Sequence, residues 1–410
     1  MEAIVERCCG LDVHQATVVA CLMVGMPHEK PRKEIRTFGT TTRELQALRA
    51  WLTAAGCTTV GMESTGVYWK PVYTVLEGSF DIILGNAHHM KNVPGRKTDM
   101  KDAEWIAHLI RLGLVARSFV PPKPIRELRD LLRYRTKLVQ ARSAEENRLM
   151  ALLERANVKL SSVMSRVLGV SGKKMIRALI DGETDLEKVA DMAKGRLRKK
   201  LPQLREALDG YVEEHHRFIL TMQLDRIERL EDDMEKLDAR IDEKLAPYRA
   251  LHERLTQIPG VDRVAAAVII AEIGPDMTVF HGPHALAAWA GTCPGNNESA
   301  GKRFSGKARK GNTHLRSILV QSATAAGRQK GTYLHRKYHK LRARLGPKRA
   351  ALAIAHRILV SAYHMISRGQ DYKDLGDAYL DQISEARVKK GLVTRLERLG
   401  YDVTLVKRAA

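Results

Sequence analysis

Two carboxylates three positions apart, Asp99 and Asp102, have the clearest potential for chemistry in this sequence. Apolar residues recur after them at helical spacing, which predicts a helix over 102–112. Residues three apart share one side of a helical turn, and two carboxylates that close are stable beside a divalent cation. Aspartates also cap helix starts. This segment alone is compatible with a metal site and with a helix cap, and it favours the cap.

Two further acids occupy apolar, strand-like positions earlier in the chain. Asp12 lies in the run 9–14, and Glu63 ends the run 58–63. Taken singly, each acid is interpreted as a hydrogen-bonded structural residue. Four carboxylates converging over one sheet edge cannot all stay ionised without metal, however, and two Mg²⁺ ions about 4 Å apart would neutralise them and clamp a phosphodiester. His14, two residues after Asp12, could face the same side of its strand and assist.

The elements around these acids predict an α/β layered domain. The β-branched run 17–24 is continuous and indicates a central strand, beside a first strand that holds Asp12. A third strand is expected at 36–39, helices at 42–55 and 67–76, and another strand at 81–84. Early strands followed by alternating helices and strands are typical of this class.

Composition points to a polyanionic partner. The 410 residues carry 69 Lys and Arg against 47 Asp and Glu, a net charge of +22, which favours nucleic acid over an anionic membrane. We find no apolar run long enough to span a bilayer, and the charged first ten residues do not resemble a signal peptide. The five cysteines are odd in number and contain no C-x-x-C pair, so we expect a reducing cytoplasm.

After a stiff linker at Pro121, Pro122 and Pro124, the chain becomes helical. Long helical patterns cover 125–160 and 204–245, and the second contains a near-heptad apolar seam from Ile227 to Ile241. The seam fits a helical bundle and an antiparallel coiled-coil arm about equally well.

The carboxyl-terminal part is strongly basic. From 299 to 370 there is no Asp or Glu but there are 17 Lys or Arg, which is better explained by phosphate contacts than by a solvated face. Ser299 lies in a polar loop, 291–303, beside Lys302 and Arg303. Cationic donors next to a serine hydroxyl could stabilise a pentavalent phosphorus. As a lone serine, Ser299 would be interpreted as an ordinary loop hydroxyl.

Several blocks of this sequence resemble one family. They are Gly-Leu-Asp-Val-His at 10–14, Met-Glu-Ser-Thr-Gly-Val-Tyr-Trp at 62–69, Arg-Lys-Thr-Asp-Met-Lys-Asp-Ala at 96–103, Glu-Ser-Ala-Gly-Lys at 298–302 and Arg-Lys-Gly-Asn-Thr-His-Leu-Arg at 309–316. They are similar to the DEDD insertion-sequence transposases, known as bridge-RNA-guided recombinases. The resemblance implies a multidomain α/β + α protein. Its parts would be an RNase H-like (RuvC-like) domain at 1–122, a helical coiled-coil domain at 123–250 and a mainly helical, basic, serine-containing transposase domain at 251–410.

The same resemblance implies the functional residues. Asp12, Glu63, Asp99 and Asp102 would be the Mg²⁺-binding tetrad, and Ser299 the recombination nucleophile, with Ser305 as the second choice. The expected nucleic-acid contacts are Lys302, Arg303, Lys307, Arg309, Lys310 and Arg316. The expected partners are donor and target DNA, a structured guide RNA and further copies of the chain, as a dimer or tetramer. The alternatives are a metal-dependent nuclease or junction resolvase without a covalent intermediate, and a noncatalytic RNA-binding scaffold.

Overall fold

The computed structural model describes residues 4–91, 93, 101–294, 297–299, 302–305, 308, 310–382 and 385–405. The chain divides into two compact units, Met1–Val120 (unit 1) and Pro121–Ala410 (unit 2). Unit 1 combines a sheet with helices and unit 2 is mostly helical, so the expected order of an α/β part followed by a helical part is confirmed. The finer division at 122 and 250 stays a prediction.

The described part of unit 1 contains a mixed five-stranded sheet and four helices. The strands are β1 (Arg7–Val13), β2 (Thr17–Val24), β3 (Arg32–Gly39), β4 (Thr59–Glu63) and β5 (Asp81–Gly85), and the helices are α1 (Thr42–Ala54), α2 (Trp69–Leu76), α3 (Ala87–Lys91) and α4 (Asp102–Arg111). The strand order is β3-β2-β1-β4-β5. β1, β2 and β3 pair antiparallel, whereas β1, β4 and β5 pair parallel.

The sheet follows from the apolar runs. β2 lies between β1 and β3, so the prediction of a central strand is confirmed. Helices α1 and α2 contribute leucines and valine to the core on one face of the sheet, together with Leu11 and Met62. Helix α4 covers the other face with Ala103, Ile106 and other apolar residues. β3 begins at Arg32, four residues earlier than expected, because backbone pairing with β2 carries a polar, exposed strand that has little apolar pattern of its own.

Unit 2 consists of helices and one short hairpin in its described part. The helices are α5 (Lys123–Arg155), α6 (Leu160–Val163), α7 (Val170–Ile180), α8 (Leu186–Ala190), α9 (Leu201–Leu208), α10 (Glu214–Leu245), α11 (Arg249–Leu255), α12 (Arg263–Ile273), α13 (Pro283–Trp289), α14 (Thr313–Ala326), α15 (Tyr333–Leu345), α16 (Pro347–Arg368), α17 (Tyr379–Gln382) and α18 (Glu385–Glu397), and the hairpin strands are β6 (Asn297–Ser299) and β7 (Lys302–Ser305). Two 3-10 helices occupy Gly195–Lys200 and Ala246–Tyr248.

The long helices α5 and α10 run antiparallel. Ion pairs join Glu127 to Lys244, Arg135 to Asp238 and Arg142 to Glu231, so residue numbers rise along α5 as they fall along α10. At the far end of this pair, α6 to α9 pack a separate apolar cluster against both helices. Among the seam residues, Ile227 and Ile241 are buried, and the three between them are half-buried.

Two sequence predictions in unit 2 were wrong in detail. The pattern 204–245 is not one helix, because the chain breaks between α9 and α10 at Asp209 and Gly210. A Cβ at Gly210 would lie 2.5 Å from the carbonyl oxygen of Ala156, so the backbone here packs too closely for a continuing helix. The segment 291–303, expected to be a loop, contains β6 and the start of β7.

One helix, α16, is long and apolar enough to cross a membrane by length and composition alone. The sequence alone predicts no such run. Eight of its residues, including Ile354, Ile358 and Leu359, are buried within unit 2, and 44% of its most apolar window is buried. Buried core helices pass the same test of length and composition, so this is weak evidence for a membrane span.

Candidate active site

Asp12 and Glu63 stand at the carboxyl ends of two neighbouring parallel strands. The register of β1 and β4 pairs Gly10 with Gly61 and Leu11 with Met62, and Asp12 and Glu63 are the next residues along. Because side chains alternate along a strand, both acids share the sheet face of the two glycines rather than the face of Leu11. The structure therefore brings these two predicted site residues to the same edge and the same face.

Helix α4 approaches that same face. A Cβ at Gly10 would lie 2.3 Å from both the carbonyl oxygen of Ala103 and the backbone nitrogen of Ala107. The first turn of α4 can thus lie directly on β1 only because Gly10 has no side chain. The other end of the helix meets the beginning of β1, where the amide of Ile4 donates to the carbonyl of Arg111. Asp102 therefore begins α4 at the end of β1 that carries Asp12.

Asp102 is the first helical residue and not the cap. Lys101 occupies the capping position without a side-chain hydrogen bond, so Asp102 is not the N-cap, but it lies in the first turn, where a carboxylate suits the helix dipole. The fourth acid, Asp99, lies outside the described residues. Among those described, the oxygens of Asp12, Glu63 and Asp102 do not all lie within 4.8 Å of one another.

Polar neighbours contact two of the acids. The Nε2 atom of His14 lies 3.2 Å from Oδ2 of Asp12, whose side chain is 26% exposed. The hydroxyl of Thr65 donates to Oε2 of Glu63 over 3.1 Å. The expectation that His14 faces the side of Asp12 is thus confirmed by this contact. Carboxylate oxygens that are only partly buried are donors that a hard divalent cation could reach.

Ser299 ends strand β6 at the tip of the hairpin. The register pairs Ser299 with Lys302 and Asn297 with Ser305, so the two candidate serines lie at opposite ends of the hairpin. Arg303 is also on β7, Lys310 is exposed ahead of α14, and Arg316 is half-buried on α14. Lys307 and Arg309 lie outside the described residues.

The base of the hairpin is closely packed, and a buried cluster there was not predicted from the sequence. A Cβ at Gly311 would lie 2.3 Å from the backbone nitrogen of Gly291. Next to it, Asn312 caps α14 by accepting from the amide of Leu315, and its Nδ2 donates to Glu272 over 2.6 Å. The chain segments that enter and leave the hairpin are therefore held together at backbone contact.

Glu272 joins this base to the long helix α5. Its carboxylate is 1% exposed and accepts two hydrogen bonds of 2.8 Å from Arg133, while Arg129 lies 3.3 Å away. Burial alone would raise the pKa of Glu272, but the hydrogen bond from Arg133 and the charges of both arginines hold this pKa below its usual range. The sequence signal for this cluster is a single carboxylate in the otherwise apolar helix α12, because a buried charge needs partners.

The histidine pairs have structural roles. His215 and His216 form with Glu213 the one group of three such residues in the described chain whose ligand atoms all lie within 4.8 Å of one another. His216 Nδ1 accepts from the amide of Glu213 in a capping box at the start of α10, where the helix dipole disfavours a cation. His335 and His339 both donate to the carbonyl of Gly327.

Two family models match this chain. Residues 9–158 match a DEDD model of the IS110 type, described as transposase, and residues 252–340 match the transposase IS116/IS110/IS902 family. The first match contains the edge with Asp12, Glu63 and Asp102, and the second contains the hairpin. With 150 and 89 residues, the matches cover 239 of 410 positions. The chain belongs to the DEDD insertion-sequence transposases.

Relatives of this transposase agree with the assignment. The chain is 33% identical over 141 residues to a protein of Sinorhizobium fredii named as transposase y4pF/y4sB, covering 32% of this chain and 36% of the relative. It is 24% identical to the transposase for insertion sequence element IS1111A of Coxiella burnetii, over 71% of this chain and 72% of the relative. A family 20 transposase of Pseudomonas aeruginosa is 26% identical over 58% of this chain and 61% of the relative.

These matches confirm the resemblance expected from the sequence, and transposase is the description that the family models and the relatives carry. The chain spans about a third of the length of the first of these relatives and more than half of the other two. A divalent metal is usual in this family, and the carboxylates at the edge of β1 and β4 are suitable donors for one.

Proposed function

We propose that this transposase is an RNA-guided DNA recombinase of an insertion sequence that exchanges strands through a serine nucleophile, Ser299, with a Mg²⁺-binding DEDD site. The observation that carries the proposal is the placement of Asp12 and Glu63 at adjacent parallel strand ends, on the face covered by the first turn of α4. Acids in this arrangement, from separate elements, suit metal-dependent phosphodiester chemistry.

The proposal includes the domain plan. An RNase H-like domain over 1–122 is supported by a sheet with three antiparallel strands followed by two parallel ones. A coiled-coil arm within 123–250 is supported by the antiparallel pair of α5 and α10 and its ion pairs. The basic transposase domain would be 251–410, and its net positive charge suits DNA.

In the proposed reaction, the Oγ of Ser299 attacks a DNA phosphorus. The Oγ–P bond forms as the P–O bond to the leaving strand breaks, the serine hydroxyl loses its proton, and the leaving oxygen gains one. The hydroxyl of another strand then attacks the same phosphorus: its O–P bond forms as the P–Oγ bond breaks, the hydroxyl loses its proton, and the serine Oγ gains one. One phosphodiester thus replaces another, so no external energy source is consumed. The bond count is conserved at each step.

The metal and the cations have separate tasks. Asp12, Glu63, Asp99 and Asp102 would hold Mg²⁺, which when bound neutralises charge on the phosphodiester. Lys302 and Arg303 flank the serine in sequence, and Lys307, Arg309, Lys310 and Arg316 extend the positive charge. We assign these cations to DNA or guide-RNA phosphates, and we propose a dimer or tetramer that acts in the cytoplasm.

Covalent trapping tests the nucleophile. A plasmid carrying the element's ends is incubated with the protein, its flanking noncoding RNA and Mg²⁺, and the products are denatured in detergent. We expect a protein–DNA adduct with the wild type, no adduct with Ser299→Ala, and retained adduct with the matched variant Ser305→Ala. Both variants should bind nucleic acid as the wild type does, because neither removes a charge.

The same assay separates the alternatives. Loss of the adduct in Ser305→Ala but not in Ser299→Ala would identify Ser305 as the nucleophile. Cleaved DNA without any adduct would indicate a nuclease or resolvase that uses the carboxylates to activate water. Asp12→Ala should abolish strand exchange and leave nucleic-acid binding intact. If the activity of the protein depends neither on Mg²⁺ nor on Asp102, as tested with Asp102→Ala, a noncatalytic scaffold is favoured.

A further inference from the structure

A pocket at the far end of the antiparallel helix pair is lined by unpaired positive charge. This tip pocket, of about 590 Å³, lies between the α6 segment, the start of α7 and the 3-10 helix Gly195–Lys200. Among the described residues that line it, four are cationic (Arg166, Lys194, Arg196 and Lys200), four are serines and none is acidic. The matches to the two family models end at 158 and resume at 252, so neither covers this pocket.

The walls of the tip pocket are tied together. The backbone amide of Lys194 donates to the hydroxyl of Ser171 at the start of α7 over 3.0 Å. On the opposite side, Nζ of Lys200 donates to the carbonyl of Val163 over 3.0 Å. Buried Met164 and half-buried Leu197 also line the pocket. The cations therefore line a shallow, open concavity whose walls are held by hydrogen bonds.

Neighbouring cations are neutralised, whereas those of the tip pocket are not. Arg198 lies 3.6 Å from Asp191, Arg205 lies 3.0 Å from Glu187, and Lys173 pairs with Glu231. Within the described chain, no carboxylate forms an ion pair with the four cations of the pocket. Like charges gathered without counter-charges repel one another, and a bound polyanion would relieve that repulsion.

We propose that the tip pocket binds the backbone phosphates of a nucleic-acid strand. All four of its cations are exposed, and within the described chain none has a carboxylate partner. The hydroxyls of Ser165 and Ser171 can donate to phosphate oxygens, whereas those of Ser161 and Ser162 already donate to Glu154 and to the carbonyl of Lys159. Its volume falls within the range of ligand pockets, roughly 300–1,000 Å³, and exceeds the needs of a single phosphate. The proposal deepens the proposed function by adding a binding site for the guide RNA or the DNA, remote in sequence from Ser299.

The test uses the full-length protein with Lys194→Gln and Arg196→Gln combined. The matched control combines Lys174→Gln and Lys199→Gln, which removes the same charge from exposed side chains of the same region outside the pocket. Affinity is measured by fluorescence anisotropy for a structured RNA hairpin and for a DNA duplex at several salt concentrations. All variants are first compared with the wild type by thermal melting.

We expect the pocket variant to bind at least one probe roughly tenfold more weakly, with the salt dependence falling by about two phosphate contacts. The control should lose much less, and the charge-conserving pair Lys194→Arg with Arg196→Lys should keep most of the affinity. Which probe loses affinity identifies the strand as RNA, DNA or both. Equal losses in the pocket variant and the control, or no loss with either probe, would overturn the proposal.

Failure of this site and failure of the serine chemistry are distinguishable. Ser299→Ala leaves the pocket intact, so it should keep wild-type affinity in the same binding assay. The pocket variant, given enough nucleic acid to saturate it, should still form the covalent adduct.

Discussion

Glu272 illustrates how one residue can connect distant parts of the chain. It lies on α12, and its carboxylate contacts two arginines of α5 and the capping side chain of α14. All of these partners are in unit 2. Removing the carboxylate would leave Arg133 and the Asn312 amide without this acceptor. It would also remove the counter-charge of Arg129, whose guanidinium keeps its hydrogen bonds to the backbone carbonyls of Ala271 and Glu272.

Glu272→Ala is therefore expected to destabilise unit 2 by about 3–5 kcal/mol, the usual cost of leaving a buried charge unpaired. Asp238→Ala is the matched control, because it removes another paired acceptor of an α5 arginine, Arg135, from a carboxylate that is 43% exposed. Its cost should be about 1 kcal/mol or less. Urea denaturation followed by circular dichroism measures both. Equal costs would show that burial does not set the strength of these pairs.

At the scale of elements, the apolar pattern predicted most of unit 1. The continuous run of β2 placed it in the middle of the sheet, and the spacing of Ile106, Leu109 and Ile110 predicted α4. The sequence gives the order of the acids along the chain. That Asp12 and Glu63 share one face of the sheet follows only from the register of β1 and β4. That register depends on pairing between strands distant in sequence, which a local pattern does not specify.

Unit 2 shows where local patterns fail. The Asp209-Gly210 pair is a turn signal, and the leucines on both sides masked it by keeping a helical spacing. The hairpin of β6 and β7 is polar, so it lacks the alternation that predicts a half-buried strand. The Glu272 cluster joins helices that are about 140 residues apart in sequence, and only the folded chain reveals its arginine partners.

The approach of α4 to β1 gives a test at this scale. Gly10→Ala places a Cβ against backbone atoms of α4, which cannot move without displacing the helix that begins at Asp102. We expect a loss of stability of about 1–3 kcal/mol and a strong decrease in strand exchange. Gly61→Ala is the matched control, since the nearest atoms to its Cβ belong to the side chains of Ile110 and Ile106 and not to the backbone of α4. Similar effects of the two variants in denaturation and activity assays would argue against backbone contact as the reason for Gly10.

The charge of the whole molecule is unevenly distributed. Residues 1–120 contain 14 basic and 12 acidic residues, which leaves 55 basic and 35 acidic residues from Pro121 onward, or +20 of the net +22. On α15, burial and then the nearby charges of Arg357, Lys340 and Arg344 lower the pKa of Lys337. Positive charge is thus crowded between α15 and α16, which carries Arg357, and phosphate is the counter-charge that would suit it.

Neutralising α15 should therefore weaken nucleic-acid binding more than neutralising the same number of charges in unit 1. The variant Lys340→Gln, Arg342→Gln, Arg344→Gln removes three exposed cations of α15, and Arg43→Gln, Arg49→Gln, Lys70→Gln removes three exposed cations of unit 1. Each phosphate contact contributes roughly 0.9 to the slope of log affinity against log salt on duplex DNA. We expect the α15 variant to lose about two to three units of this slope and the unit 1 variant to keep it, measured by anisotropy on a random duplex. Equal slopes for the two variants would mean that net charge alone attracts the nucleic acid, because a diffuse field does not depend on which three cations are removed.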